Sequence, residues 1–448
     1  MNYGAPTLAR VATATGVLMH VSLASSFIGT ILLAITAEAI YIRTRDKDWG
    51  DLAHTFAVIS TIIFGVGAAF GTLVEFGLVT IWSNFVAQMG SAISLPFFIE
   101  LFAFLFEVVI LPLYIFTWGK IKNEWLHWII GFFAAFGGVW SAYNILDVMA
   151  SLSMRPPGME IIQLQKPISG VISYIAEFQS PSQIWNMFWW GAQVFIFHGI
   201  LAAIILSWSG ATSVVLYKYL REHKQYQLKI LKLTAPVITA LTAIQGFVLG
   251  HYQGMLVLED DPLKLAAMEG LFWSGYKNDP LLSLLAYLNT TGKFWGYYSW
   301  PAAIRPPSFI FVTYWGFMVI GGVLLGAWAL GLTLTITYPL FKGAFGNFIL
   351  KSGQYAIGIL AALASIGGAL TTESGRYPFI FVQADPNPNG PPNITGIPVS
   401  AIYNPTFTPT PAVVAGIIVV ELAMPALAWY MVYLYLTRKV KTSGGGEH

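Results

Sequence analysis

Long apolar runs separated by polar connections recur along the whole chain. A bilayer core requires about 20 apolar residues at about 1.5 Å per residue. By that measure the pattern predicts about nine transmembrane helices, roughly at 9–42, 53–81, 94–118, 125–150, 190–217, 230–253, 308–338, 353–372 and 411–437. Some exceed what a bilayer needs, so tilted or protruding ends are expected. The first run follows only Arg10 and leads to no small-residue cleavage site, which predicts a retained span rather than a cleaved signal. No internal repeat is visible, so the inverted-repeat signature of many transporters is missing. The expected fold is all-α, one polytopic transmembrane helical bundle over residues 1–448. Three connections are long: 151–189, 254–307 and 373–410. The last contains Ala384-Asp385-Pro386-Asn387-Pro388-Asn389-Gly390-Pro391-Pro392 and reads as an irregular loop.

Composition sharpens this picture. The 448 residues are 56% hydrophobic and only 10% charged, whereas soluble proteins carry about a quarter charged residues. Phe, Trp and Tyr at 15% suit aromatic belts at two membrane surfaces. A net charge of +2 gives no reason to expect a nucleic-acid partner. The absence of cysteine excludes disulfides, Cys-ligated zinc and iron–sulfur clusters, leaving His, Met, carboxylate or backbone to hold any cofactor. Arg43, Arg45, Lys47, Lys120, Lys122, Lys218, Arg221, Lys224, Lys229, Lys232, Lys342, Lys351, Arg438, Lys439 and Lys441 fall on one side of the nine spans, 15 of the 23 basic residues. The positive-inside bias therefore predicts an outer N-terminus and a cytoplasmic C-terminus.

Ionisable residues inside spans are costly and are functional candidates by default. Counting from the cytoplasmic charge that ends each helix, His20 lies 23 residues from Arg43, Glu100 20 from Lys120, and His198 20 from Lys218. His251 lies 19 from Lys232, Met318 24 from Lys342, and Glu373 22 from Lys351. Each therefore sits about 30–35 Å from the inner surface, in one layer near the outer face. Imidazole, thioether and carboxylate are axial haem ligands, and a His/Met pair suits a low-spin haem. Singly, each group has a plainer role: a helix–helix hydrogen bond for His20 or His198, core packing for Met318, solvation for His251 or Glu373. Glu100 and Glu107 stand seven residues apart on one helix face in an apolar span, as a proton path requires.

In order along the chain come Leu8-Ala9-Arg10 with His20, Phe70-Gly71-Thr72-Leu73-Val74-Glu75-Phe76, Ile99-Glu100 through Glu107 to Trp118-Gly119, and His127 with Ser141-Ala142. Then follow Gly250-His251-Tyr252-Gln253-Gly254, Lys264-Leu265-Ala266-Ala267-Met268-Glu269 and Glu373-Ser374-Gly375-Arg376-Tyr377-Pro378. Over nearly its whole length the chain resembles subunit I of the cytochrome bd-type quinol oxidase family, in a short-loop form. The resemblance implies haem b in low-spin and high-spin states, and haem d or a second high-spin haem b. It makes His20 an axial ligand to one high-spin haem and Glu373 to the other. His198 and Met318 become the low-spin pair, the count from the inner surface favouring His198 over Trp189. Arg10 and Arg376 would offset propionate charge. Residues 254–307 would form the external quinol loop, with Lys264 and Glu269 binding and deprotonating quinol near His251. Glu100 and Glu107 would carry protons inward to the site of O2 reduction, with Ser141 a further member of the path. A second membrane subunit of similar size is implied as partner. The alternatives are a haem-depleted paralogue acting as that partner, or a proton-coupled transporter. A zinc enzyme is disfavoured because no His pair has ligand spacing.

Overall fold

The computed structural model describes residues 5–169, 171–404, 406–407 and 409–444. Among the described residues nine helices are long and apolar enough to cross a bilayer: Thr7–Thr44, Lys47–Ile81, Ala92–Phe116, Glu124–Ser153, Trp190–Glu222, Gln225–Asp260, Val312–Thr337, Ala344–Gly375 and Pro411–Thr437. Each coincides with a span expected from the apolar pattern. The largest differences are at the sixth, which runs on to Asp260, and the eighth, which begins at Ala344. The chain is an all-α, multi-pass membrane bundle. The side chains of Arg438, Lys439 and Lys441, used in the charge count, lie outside the described residues.

The helices are α1 (Ala5–Thr44), α2 (Lys47–Ile81), α3 (Ser83–Phe116), α4 (Glu124–Ser153), α5 (Trp190–Glu222), α6 (Gln225–Ile244), α7 (His251–Asp260), α8 (Pro262–Met268), α9 (Pro280–Tyr287), α10 (Ile320–Thr337), α11 (Ala344–Gly375), α12 (Val399–Ile402) and α13 (Pro411–Gly444). A π-helical turn at Gln245–Gly250 joins α6 to α7, and another at Val312–Val319 leads into α10. The strands β1 (Met159–Ile168) and β2 (Ile172–Phe178), β3 (Tyr276–Asn278) and β4 (Lys293–Trp295), and β5 (Phe379–Asp385) and β6 (Asn393–Pro398) form three antiparallel pairs between spans.

The chain divides into two compact units. The first comprises Met1–Val86, Leu101–Ser141 and Ile402–His448. Here α1 lies along α2 and α13 packs on both. In a bilayer, apolar contact alone does not drive helices together, so close approach at small residues matters. Gly67 faces Leu23, Gly71 faces His20, and Gly16 faces Val74 and Glu421. Arg45, at φ 60°, turns the chain out of α1, and Asp46 caps α2 by accepting from the Asp48 N–H at 3.1 Å.

The second unit comprises Ala87–Glu100 and Ala142–Ala401. Its body is formed by α5, α6, α10 and α11, again through small residues. The Gly358 N–H donates to Ser213 Oγ at 2.8 Å, and Thr212 donates to Thr234 at 2.7 Å. Residues 254–307 begin on α7 instead of in a loop, and Leu265, Met268, Leu271, Phe294, Tyr297 and Trp300 form a small core together with Val382 of β5 and Ile394 of β6. Asp261 caps α8 through the Lys264 N–H at 3.0 Å, and Asp279 caps α9 through the Leu282 N–H at 2.8 Å. The 373–410 connection, expected to be irregular, is largely the hairpin β5–β6, with Asp385 opposite Asn393. Its Pro- and Asn-rich tip and the described residues of 403–410 match that expectation. The flanking Phe379-Ile380-Phe381-Val382 and Ile394 to Ile397 favour strand, a signal overshadowed by the turn residues between them.

Candidate functional site

In the first unit His20 projects from α1 onto α2. Its ring lies edge-on to Phe70 at 6.3 Å, and a Cβ at Gly71 would fall 2.7 Å from its Cε1, so only glycine leaves room for it. His20 Nδ1 is buried without a well-formed hydrogen bond, the Gly67 backbone being its polar neighbour. Arg10 stands half-buried on the same helix. Glu107, 3% exposed, is seated on α4: a Cβ at Gly138 would lie 3.0 Å from its Oε1, and one at Gly137 3.2 Å from its Cβ. Ser141 is half-buried on α4.

The second unit gathers most of the remaining candidates. His198 on α5 has a buried Nδ1 with no hydrogen-bond partner, and its backbone carbonyl accepts from Gln245 Nε2 at 3.0 Å. Gln245 opens the first π-helical turn. Met318 belongs to the second, which lies directly on α11. A Cβ at Gly367 would fall 2.8 Å from Met318 N, and one at Gly368 3.3 Å from Met318 Sδ. Such turns interrupt α-helices most often at functional positions. Glu269, at the end of α8, accepts from Trp315 Nε1 at 3.0 Å, which ties the 254–307 segment to the turn bearing Met318.

Glu373 and Arg376 pair with one another at the end of α11, leaving Glu373 Oε1 and Arg376 Nη1 buried without partners. Lys264, 6% exposed, runs over this helix end: a Cβ at Gly375 would meet its Cε at 2.7 Å. The charges of Asp261, Arg376 and Glu373 act on it. Two residue sets assigned separate roles in the sequence are thus neighbours. Glu100 is half-buried on α3, which is continuous α-helix from Ser83 to Phe116 and contains no π turn between Glu100 and Glu107. His251 is exposed at the chain surface, and helix continues beyond it to Asp260. A cavity of about 460 Å³ beside it is lined by Trp190, Tyr252, Met255, Leu256, Leu258, Glu259 and Tyr287.

Among the described residues no three His, Cys, Asp or Glu side chains converge as a metal cage. A haem does not require one, since the porphyrin occupies four iron positions and the protein supplies at most two axial donors. Those donors must not be committed to protein partners. His20 and His198 keep a buried ring nitrogen without a good hydrogen bond, and Glu373 keeps one oxygen unpartnered. Met318 sulfur rests over a glycine. The donor set therefore fits haem.

Burial pushes the Asp261 carboxyl up to about 7, partly opposed by the neighbouring Lys264. The same burial pushes the Lys264 ammonium down, opposed by Asp261. Burial also raises Glu269 above the usual carboxylate range. Between pH 3.8 and about 7 the folded chain holds a proton on Asp261 that the unfolded chain has released. The Asp261 contribution to stability is therefore present at low pH and lost as pH rises through about 7. Thermal melting of Asp261→Asn across this range is expected to lose that decline; a decline equal to wild type would refute it.

Several buried polar groups escaped the sequence reading. Asp147 on α4 is fully buried with neither carboxylate oxygen partnered, and Glu421 on α13 places Oε1 2.5 Å from where a Gly16 Cβ would stand. Glu38 and Tyr114 join His127, named from the sequence only as a motif residue, in a cluster described below. The available signal was a lone acid within an apolar run.

Comparison with known proteins identifies the family and the fold. The family profile of cytochrome bd terminal oxidase subunit I matches residues 8–443. The chain is 26% identical over 415 residues to cytochrome bd ubiquinol oxidase subunit 1 of Bacillus subtilis (strain 168), covering 83% of each. A second Bacillus subtilis relative is 28% identical over 273 residues, which is 59% of this chain and only 58% of that protein. The bd oxidase structure from Geobacillus thermodenitrificans superimposes with a TM-score of 0.79 at 24% identity, over 98% of this chain and 100% of that one.

Proposed function

The chain belongs to the cytochrome bd terminal oxidase subunit I family, and we propose that it is the haem-bearing subunit of a quinol:O2 oxidoreductase. It is a multi-pass protein of the prokaryotic plasma membrane. One observation carries the proposal: Lys264 lies against the helix end bearing Glu373 and Arg376, while Glu269 is hydrogen-bonded to the turn bearing Met318. Groups suited to quinol therefore adjoin groups suited to haem within a single unit.

In this function His198 and Met318 hold the low-spin haem b, and His20 and Glu373 each hold a high-spin haem, b or d. Bound haem supplies one-electron transfer from quinol and the reduction of O2 to water. Lys264 and Arg376 orient anionic oxygens. Glu269, its carboxyl raised by burial, takes the quinol proton when ionised. Glu107, and Glu100 on the same helix, hold and pass protons toward the reduction site. The N-terminus is outside and the C-terminus cytoplasmic, so quinol protons leave outside while consumed protons enter from the cytoplasm. Charge separation follows without a pump. Residues 254–307 act as the external quinol loop, and a second membrane subunit of similar size completes the enzyme.

The test is a reduced-minus-oxidised visible spectrum of the purified complex before and after carbon monoxide, with haems counted as pyridine haemochromes. Haem bands with a CO-sensitive fraction are expected. A colourless chain that binds no haem alongside its partner would overturn the proposal in favour of the haem-depleted paralogue.

A further inference from the structure

The first unit contains a buried ionisable cluster that the proposed roles leave unused. Glu38 on α1 and His127 on α4 are 4% and 5% exposed, and Tyr114 on α3 is fully buried. His127 Nδ1 lies 2.6 Å from Glu38 Oε1, and the Tyr114 hydroxyl donates to Glu38 Oε2 at 2.6 Å. His127 Nε2 lies 3.0 Å from the Tyr114 backbone carbonyl. A carbonyl oxygen can only accept, so Nε2 carries a hydrogen. One further proton is then shared between Nδ1 and Glu38. With it on nitrogen the pair is imidazolium and carboxylate; with it on oxygen, both are neutral. The cluster thus holds a transferable proton out of contact with bulk water.

Its position gives that proton a direction. Glu38 lies six residues from Thr44, Tyr114 two from Phe116 and His127 three from Glu124, all at the helix ends flanked by the larger basic set. Glu107 lies seven residues before Tyr114 on α3, about 10 Å along the helix and on the same face. That face packs on glycines of α4: a Cβ at Gly131 would lie 2.5 Å from Tyr114 Cε2, just as Gly137 and Gly138 seat Glu107. The surrounding titratable groups are few. His54 on α2 faces Trp118 at 5.0 Å, and Trp118 stands edge-on to His127 at 4.8 Å. Arg45 pairs with Glu124, and Arg43 lies over Trp125 at 5.8 Å.

We propose that Glu38 and His127 form the cytoplasmic proton-uptake group of this subunit and hand protons to Glu107, with Tyr114 as a positioning residue. The proposal rests on the oxidase function and orientation given above. The proton on Nδ1 moves to Glu38 Oε1, leaving neutral imidazole with its hydrogen on Nε2. Glu38 then releases that proton toward Glu107, and Nδ1 is reprotonated from the cytoplasmic side. One proton enters and one leaves, with no change in redox state. Tyr114 keeps its hydroxyl hydrogen throughout and holds the carboxylate in place.

The experiment uses the complete haem-loaded complex and the variants Glu38→Gln, Glu38→Asp and His127→Gln. Gln at position 38 still accepts from Tyr114 but cannot carry a proton. Quinol-driven O2 uptake in Glu38→Gln is expected to fall in kcat by roughly tenfold or more, with quinol KM and haem spectrum unchanged and a displaced pH profile. Glu38→Asp is expected to recover part of the rate. Unchanged kcat in folded Glu38→Gln and His127→Gln would overturn the proposal, and so would a loss of rate matched by loss of haem. If Glu38→Gln does not fold, Tyr114→Phe should give a smaller fall in kcat with the same pH displacement, and no displacement would count against the proposal. Infrared difference spectra of the resting protein between acid and alkaline buffer give a readout free of turnover. A carboxyl band lost in Glu38→Gln, or in Tyr114→Phe shifted, supports the cluster; its absence from wild type overturns it. A wild-type complex that shows this band yet oxidises no quinol would instead refute the oxidase function.

Discussion

Replacement of His20 by alanine is expected to remove the CO-reactive part of the haem spectrum and leave the low-spin part in place. Changing groups that merely support a metal ligand costs about 10–100-fold in metal affinity, so loss of the ligand itself should lower quinol-driven O2 uptake by at least roughly that much. The geometry supplies an independent route to the same result. A Cβ at Gly71 would lie 2.7 Å from His20 Cε1, so Gly71→Val must displace the imidazole without altering its chemistry. Gly77 on the same helix has open space around it and serves as the control, where alanine should leave the spectrum intact. Difference spectra with and without carbon monoxide decide the matter. Retention of the CO-sensitive band in both His20→Ala and Gly71→Val would remove His20 from the haem site.

Glu269→Gln is expected to lower kcat by about 10²–10⁴-fold, the usual contribution of a positioned general base, while haem content stays constant. Glutamine keeps an oxygen to accept from Trp315 Nε1, so the tie to the Met318 turn survives and only the proton-accepting function is lost. Burial, opposed by hydrogen bonds from Tyr314 and Trp315, raises the Glu269 carboxyl. The ionised base is therefore formed only as pH climbs through that raised value, and wild-type kcat should increase with pH across it. In Glu269→Gln this ascending limb should disappear. Rates of O2 uptake over a pH series provide the check; an unchanged limb would assign the quinol base elsewhere.

The spans were legible because a bilayer imposes one length on every crossing helix and excludes charge from its interior. The candidate ligands were picked out by the same constraint: His20, His198, Met318 and Glu373 share one depth when counted from the more basic flank. Their surroundings were not. Nothing local links Lys264 to Gly375, or Glu38 to His127, because these contacts are made by helices distant in sequence. Glu38 lay too near a helix end to stand out as an intramembrane acid, and His127 stood out only as a motif residue without a partner. The sixth span ended early in the sequence reading because Gly250, Gly254 and nearby polar residues resemble a helix stop, yet α7 carries on to Asp260. Hairpin β5–β6 was hidden by its own Pro- and Asn-rich tip.

The two π-helical turns make chain length itself a determinant of which side chains meet. A π turn holds one residue more than the α turn it replaces. Deleting a residue from a surface loop takes up slack, whereas deleting one from Val312–Val319 would restore α pitch and rotate the preceding segment by about 100°. If the loss fell between Trp315 and Met318, Met318 would remain on Gly367 and Gly368 while Trp315 swung away from Glu269. In Gln245–Gly250 the same loss would turn Gln245 relative to His251. Over descent, the positions of these stretches other than Gln245, Trp315 and Met318 should therefore accept changes of residue type far more readily than gains or losses of a single residue.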